Sequence, residues 1–292
     1  MGLRVKFNLT LLLTFIVAFA IATGVGYRIV QNEARREAAH DASLMMAEAA
    51  AVRDYTATDI APLLAEQEKS RFLPQAIPFW AAQTTQRAIA VHFPHYTYKE
   101  AALNPINIAN RAAGWEEDIV AEFQHSPELG RFTSTRELAS GPTLSLSQPI
   151  RVTDQSCLAC HSTPEAAPAA QIDVYGTRHG FGWKLGDTVG AQIASVPMQD
   201  SLNRANRTLA LYLGGLAALF AATLLLLNLV LHFVVIRPLR RIVAHANAVS
   251  TGNFGAPEFE LRGHDEIAVL LQSFNRMRRS LANAMQMLES SM

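Results

Sequence analysis

Two long uncharged runs are the feature that most restricts the fold of this 292-residue chain. Residues 7–27 contain no charged side chain and would extend about 31 Å as a helix, enough to cross a bilayer. Residues 209–236 form a second uncharged run, interrupted only by polar singletons such as Asn228 and His232. We therefore expect two transmembrane helices with a separate domain between them.

Charges beside the two runs predict their orientation. Residues 28–207 carry 16 basic and 20 acidic side chains, and since the whole chain has 25 of each, the remainder is net +4. Basic residues lie on the outer flanks of both runs: Arg4, Lys6, Arg237, Arg240 and Arg241. Positive flanks stay in the cytoplasm, so both termini are expected inside and residues 28–207 outside. The balanced total charge argues against a nucleic-acid partner.

The first run also has the features of a cleaved signal peptide. The triplets Ala18-Phe19-Ala20 and Ala20-Ile21-Ala22 resemble signal-peptidase sites. The length of the apolar run favours a retained anchor, and both interpretations export the domain that follows.

The only two cysteines lie in one five-residue stretch, Cys157-Leu158-Ala159-Cys160-His161. A disulfide across two intervening residues would close a very small loop and stabilise little. A zinc site normally needs four ligands, and no second cysteine pair exists. A thioredoxin-like pair should open a helix in a strand–helix–strand pattern, which the polar, Pro-rich sequence after His161 does not suggest.

The spacing Cys-x-x-Cys-His is typical of covalent c-type haem attachment. Cys157 and Cys160 would then form thioethers with one haem c, and His161 would bind its iron. This chemistry normally takes place outside the cytoplasm, in agreement with the predicted orientation.

A heptad-like pattern follows the second run. Pro238 lies where it can begin a new helix. Two sets of apolar residues then recur at spacings of three and four: Leu239, Ile242, Ala246 and Val249, and later Ile267, Leu270, Phe274, Met277 and Leu281. Gly252-Asn253 and the sequence FGAPEFELRG separate them. The pattern favours half of a parallel four-helix coiled coil in a homodimer, and the alternative is a helix pair lying on the membrane.

Residues 236–288 resemble the HAMP linker of bacterial transmembrane receptors, through IRPLRRI, the Gly252 break and HDEIAVLLQSFNRM. The resemblance implies a dimeric relay that converts motion of the second membrane helix into altered helix packing. No kinase, cyclase or chemotaxis domain follows before Met292. We therefore expect the relay to act on a separate cytoplasmic partner.

Residues 28–207 are predicted to be an α+β domain with an antiparallel sheet. Helices are expected at 31–66, 81–92 and 111–123, the last with Asn107 or Asn110 near its start. Strands are expected at 143–152 and as a pair around Gly186-Asp187. Asn104 to Asn107 are interpreted as a capped turn.

This domain resembles the c-type-haem PAS-like domains of bacterial membrane receptors, through VRDYT, YKEAALNPIN, CLACHS and YGTRHGFGWKLGDTVGAQIASVP. The resemblance implies a PAS-like sheet holding a shielded haem that senses redox state or a diatomic gas. It places the domain in the periplasm and the anchors in the bacterial inner membrane.

The distal iron ligand is predicted with the help of the same resemblance. Such domains take a Met or Cys from the long N-terminal helix, and no spare Cys exists here. Met46 or Met45 is therefore favoured. Met198, His179 and an open or water-bound iron are the alternatives.

The predicted organisation has six parts: 1–6 cytoplasmic, 7–27 membrane, 28–207 haem domain, 208–236 membrane, 237–288 HAMP linker and 289–292 tail. A haem-based transmembrane signal transducer explains both the haem motif and the heptads. A membrane-anchored electron carrier leaves the heptads without a role. An enzyme is not expected, because no convincing acid–base set accompanies the motif.

Overall fold

The computed structural model describes residues 2–138, 140–251 and 266–290. They form two compact units. One unit comprises Val25–Leu209, and the other comprises Met1–Gly24 together with Ala210–Met292.

The first unit is built on one four-stranded antiparallel sheet in the order β1-β4-β3-β2. Its strands are β1 Thr97–Ala102, β2 Phe132–Leu138, β3 Gly141–Arg151 and β4 Thr188–Pro197. The predicted α+β class and antiparallel sheet are confirmed, and the strand expected at 143–152 is β3. The sequence patterns did not identify β1 and β2 as strands.

Helices cover the sheet and extend beyond it. They are α1 Leu3–Tyr55, α2 Ala61–Glu68, α3 Pro78–His92, α4 Trp115–His125, α5 Leu158–His161 and α6 Ala169–Tyr175. A π-helical segment, Thr56–Ile60, joins α1 to α2, so the long helix expected at 31–66 is confirmed.

The helix predicted at 111–123 begins four residues later than expected. Residues just before it extend the sheet instead, because Ala112 N–H donates to the Ala102 carbonyl at 2.8 Å. Gly114, at φ 56°, then turns the chain into α4. Asn107 caps a short 3₁₀ helix, Ile108–Asn110, rather than α4.

The prediction of two strands around Gly186-Asp187 is wrong for the first of them. Only β4 forms, because Gly180, Gly182 and Gly186 adopt φ of 84°, 87° and 92°, which an extended strand does not use. These glycines fold the segment into a loop.

Each sheet face packs against one principal helix. The α1 face holds an apolar cluster, here called the α1 cluster: Ala34, Ala38, Ala42, Met46, Leu144, Leu146, Ala194, Val196, Met198 and Leu202. The opposite face packs against α4 through Ile119, Val120 and Phe123. The central strands β3 and β4 are therefore covered on both faces.

Among the described residues, two helical paths are long and apolar enough to cross a membrane, Arg4–Glu68 and Gln199–Ser250. The second consists of α7 Gln199–Val230, a π-helical segment Leu231–Ile236 and α8 Arg237–Ser250. Asn228 forms reciprocal amide hydrogen bonds with Asn8, at 3.1 and 2.9 Å. Together with a hydrogen bond from Asn228 Nδ2 to the Leu224 carbonyl at 2.9 Å, this pairing satisfies the polar side chain within an apolar run.

Both π-helical segments end two residues before a proline. Ile60 precedes Pro62, and Ile236 precedes Pro238, which begins α8 as predicted. Proline lacks an N–H and its ring clashes with the carbonyl four residues earlier, so the backbone widens there. Both long helices therefore carry a local irregularity next to a proline, the first beyond the uncharged run 7–27 and the second at the C-terminal end of the run 209–236.

The C-terminal helices α8 and α9, Glu266–Ser290, pack against each other through Ile242, Val249 and Phe274. Three further residues of the predicted apolar pattern, Leu270, Met277 and Leu281, are exposed on α9. One protomer therefore covers part of the pattern by itself and leaves a second apolar face on α9. The predicted break at Gly252-Asn253 and the connector after it lie outside the described residues.

Candidate haem site

The cysteine motif lies just beyond the end of β3. Asp154 begins the turn, since its carboxylate accepts a hydrogen bond from Ser156 N–H at 2.7 Å. A 3₁₀ helix, Gln155–Cys157, then leads directly into α5. The local sequence thus converts a strand into one compact helical turn that carries both thiols and the histidine.

Cys157 and Cys160 are three residues apart on this turn, so their side chains share one side of it. Both are half-buried and neither is in a disulfide. Burial raises the pKa of Cys160, and the nearby Glu68 raises it further. A raised pKa is the opposite of what an activated redox thiol needs. The raised pKa of Cys160 therefore argues against an activated thiol–disulfide pair.

His161 is held in one tautomer. Its Nδ1 lies 2.7 Å from the carbonyl oxygen of Gly180, which can only accept, so Nδ1 carries the proton. Burial lowers the pKa of His161, which favours the neutral ring. The Nε2 lone pair is therefore available, and this is the nitrogen that an axial iron ligand uses.

Trp183 fixes the plane of the same ring. The indole and the imidazole stack with centroids 3.8 Å apart and planes 7° from parallel. Two backbone hydrogen bonds connect the segments, from Trp183 N–H to the His161 carbonyl and from Gly182 N–H to the Ser162 carbonyl. His161 is thus fixed in both rotation and tilt.

Asn104 holds the loop that contains these partners. Its side-chain oxygen accepts from Gly180 N–H at 3.3 Å, and its amide donates to the Phe181 carbonyl at 3.4 Å. Gly180 has φ 84°, and a Cβ there would come within 2.7 Å of the Ile106 Cα. The segment interpreted as a capped turn therefore also positions the acceptor of His161.

An open cavity of about 640 Å³ borders the same loop. Its walls include Leu103, Asn104, Arg151, Phe181 and Trp183. The volume is within the range of small-molecule sites. Cys157, Cys160 and His161 do not line the cavity. Its wall instead includes Trp183, which stacks on His161, and Asn104, which holds the Gly180 segment.

These observations test whether the residues suit a c-type haem, and they do. Two unbonded thiols one turn apart lie next to a neutral histidine with a free Nε2. A zinc site finds less support, because the described residues contain no group of three or more His, Cys, Asp and Glu that could hold a metal ion. Cys157 and Cys160 would hold the haem, and His161 would be its proximal ligand.

The candidate distal ligands lie elsewhere. Met46 and Met198 are both buried in the α1 cluster, and Met45 packs against its edge. Leu146, a member of that cluster, precedes the end of β3 by five residues, about 16 Å of extended strand. His179 is half-buried beside Gly180. Within the described residues the α1 cluster includes none of the motif, and the distal assignment stays a prediction.

Sequence reasoning missed the roles of the Gly180 carbonyl and of the Trp183 ring. The signal for both was the spacing of glycines in HGFGW, since alternating glycines beside an aromatic residue indicate a shaped loop rather than a strand. Gln171 was also missed. Its buried amide donates to the Cys160 carbonyl at 2.9 Å and ties α6 to the motif.

Comparisons with known proteins match two parts of this chain to families. Residues 31–197 match the family described as Tll0287-like, and residues 230–283 match the HAMP domain. No match to a curated protein was found. Among solved structures, the cyanobacterial haem protein Tll0287 is 18% identical, with 55% of this chain and 95% of that chain covered and a TM-score of 0.44. The two family matches lie on either side of α7.

Proposed function

We propose that this chain, which belongs to the Tll0287-like family and also carries a HAMP domain, senses redox state or a diatomic gas through one covalent haem c. The haem domain would lie in the periplasm and the HAMP domain in the cytoplasm of a bacterium, with both long helices crossing the inner membrane. The HAMP domain would pass the signal to a cytoplasmic output protein.

The observation that carries the proposal is the state of His161. A histidine whose Nδ1 donates to a carbonyl, and whose ring stacks on Trp183, presents Nε2 in a fixed direction. The two thiols on the same helical turn would anchor the haem, and the haem would supply an iron whose charge or ligation changes with the stimulus. The protein's own contribution is to orient the histidine and shield one side of it.

The relay rests on the HAMP match and on the surface of α9. Leu270, Met277 and Leu281 are exposed in one protomer and recur at spacings of seven and four. A second copy packed in parallel would cover them, as in a four-helix bundle. Such packings differ by only a few kcal/mol, so a small displacement of α7 would shift their balance.

Two measurements on the full chain, produced with a haem-c maturation system and placed in lipid nanodiscs, test the proposal. Absorption spectra are recorded in oxidised and reduced samples, with and without O₂, NO and CO. Cross-linking at Met277→Cys is then measured in each state, with Asn283→Cys as the control on another face of α9.

We expect a covalent haem spectrum, and cross-linking at position 277 that depends on the state of the haem. A haem spectrum with state-independent cross-linking would instead support the membrane-anchored electron carrier. Absence of covalent haem would overturn the proposal.

A further inference from the structure

The haem proposal leaves unused a buried carboxyl group on β1. Glu100 is 4% exposed and lies on the sheet face that α1 covers. Its carboxylate accepts hydrogen bonds from Tyr98 Oη at 2.9 Å and from Gln83 Nε2 at 3.1 Å, and Arg53 Nη1 lies 3.6 Å from Oε1. Three elements, α1, α3 and β1, thus converge on one carboxyl group.

These contacts fit the ionised form of Glu100. Tyr98 and Gln83 donate to it, and Arg53 supplies an opposite charge. Another charged group, Glu48 on α1, acts electrostatically on Tyr98 and accepts a hydrogen bond from Gln86 on α3. Burial opposes ionisation more strongly than these donors favour it, and the pKa of Glu100 rises from 4.5 to about 7.

The same cluster also contains a hydrogen-bond acceptor for the neutral form of Glu100. Gln192 on β4 lies directly opposite Glu100 in the register, so the two side chains share one face at a Cβ separation of about 5 Å. Gln192 is 7% exposed, and its Oε1 has no partner among the described residues. A protonated Glu100 has one O–H to donate, and this acceptor is adjacent to it.

We propose that Glu100 is a proton-sensing residue that gives this protein a second stimulus, the pH on the side of the membrane where the domain lies. The ionised carboxylate binds Arg53 and so ties α1 to the sheet. The neutral carboxyl turns its O–H to Gln192 and releases the charge interaction with Arg53. This inference goes beyond the proposed function, because it requires neither haem nor a change in iron.

Arg53 is the residue through which the proton acts on α1. It also contacts Tyr98 Oη at 3.4 Å and lies 5.2 Å above the Phe79 ring, so it stays in place when its charge partner is lost but is held less firmly. It precedes the π-helical segment Thr56–Ile60 by three residues. Protonation therefore loosens α1 locally at Arg53, next to its irregular segment, while the neutral carboxyl group lowers the cost of keeping Glu100 buried under α1 and α3.

The test compares the full chain in nanodiscs between pH 5.5 and 8.5 with its Glu100→Gln variant. Infrared difference spectra report the C=O stretch of a protonated buried carboxyl group. Hydrogen–deuterium exchange over residues 50–60, corrected for the intrinsic pH dependence, reports the attachment of α1. Glu117→Gln on the exposed side of α4 removes one carboxylate elsewhere and is the matched control.

We expect a carboxyl band that appears as the pH falls through about 7. Exchange over residues 50–60 should rise about fivefold in parallel, which corresponds to the loss of an ion-pair contact of about 1 kcal/mol. Glu100→Gln should abolish both responses, and Glu117→Gln should keep both. Gln192→Leu, which removes the acceptor of the neutral form, should move both responses to lower pH.

Wild-type and Glu100→Gln chains with the same band and the same exchange at every pH would overturn the inference. If the Glu100→Gln chain fails to fold, the Gln192→Leu variant takes its place in the test. An unshifted titration in Gln192→Leu would then also overturn the inference. Haem content is measured separately from the absorption spectrum, so failure here is distinguishable from failure of the haem proposal.

Discussion

The imidazole of His161 stacks on the indole of Trp183 with ring centroids 3.8 Å apart. Together with the hydrogen bond to Gly180, this contact leaves one direction of the ring open, that of Nε2. The histidine is thus oriented by residues 19 to 22 positions away in the chain, in a loop that is held in turn by Asn104. The predictions for the site follow from this chain of contacts.

Covalent haem should depend on both thiols. In the Cys157→Ala, Cys160→Ala double variant, produced with a haem-c maturation system, no haem should remain on a denaturing gel. Ser162→Ala, adjacent to the motif, should keep it. Haem retained by the double variant would contradict covalent attachment at these residues.

Asn104 should influence the iron without contacting it. Asn104→Ala removes both side-chain hydrogen bonds to the Gly180–Phe181 segment, at about 1 kcal/mol each, and loosens the acceptor of His161. We expect covalent haem to persist with a changed spectrum and midpoint potential. Asn107→Ala, which loses only the cap of a 3₁₀ helix, should leave both unchanged. Equal effects of the two variants would indicate a purely structural role.

The predicted thioether ligand is tested by changing Met45 and Met46 to Leu. Leucine has a similar volume, so the α1 cluster should lose less than about 1.5 kcal/mol. Loss of a Met–iron absorption and a lower midpoint potential are expected, because thioether ligation raises the potential. An unaltered spectrum would transfer the assignment to Met198 or His179.

Two substitutions on α9 should separate packing within a protomer from packing between protomers. Phe274 is buried against Ile242 and Val249, so Phe274→Glu should separate α8 from α9 as well as weaken the dimer. Met277 is 52% exposed, so Met277→Glu should reduce only the dimer. Analytical ultracentrifugation in detergent measures this, with Asn283→Glu as the control. A fully dimeric Met277→Glu chain would contradict the proposed parallel interface.

Stability should fall as the pH rises from about 4.5 to about 7 because of Glu100. Its folded pKa is raised, so the folded state binds the proton more tightly than the unfolded state in this window. The stabilisation by protonated Glu100 is complete below the ordinary glutamate pKa of 4.5 and is lost above the folded-state pKa of about 7. Its size is of the order of 3 kcal/mol. Thermal unfolding followed by intrinsic fluorescence should show a flatter pH profile for Glu100→Gln. Equal slopes in both chains would contradict the raised pKa.

The sequence by itself determined the features that depend on short-range order. Uncharged runs, a five-residue cysteine motif and heptad spacing are local patterns, so the candidate membrane helices, the candidate haem-binding residues and helices α8 and α9 could be predicted from them. The long helix and β3 followed from the same kind of pattern. Each of these is decided by residues only a few positions apart.

Tertiary structure decided what depends on distant partners. The extended segment before α4 forms because Ala112 meets Ala102 on β1, which outweighs a helical pattern. Glycines at positive φ turn the segment after Gly180 into a loop over His161, where alternation suggested a strand. Glu100 is unremarkable in sequence and becomes a buried acid only because α1 and α3 cover it. Backbone pairing and burial depend on which surfaces come into contact in the folded chain. Local sequence periodicity does not contain that information.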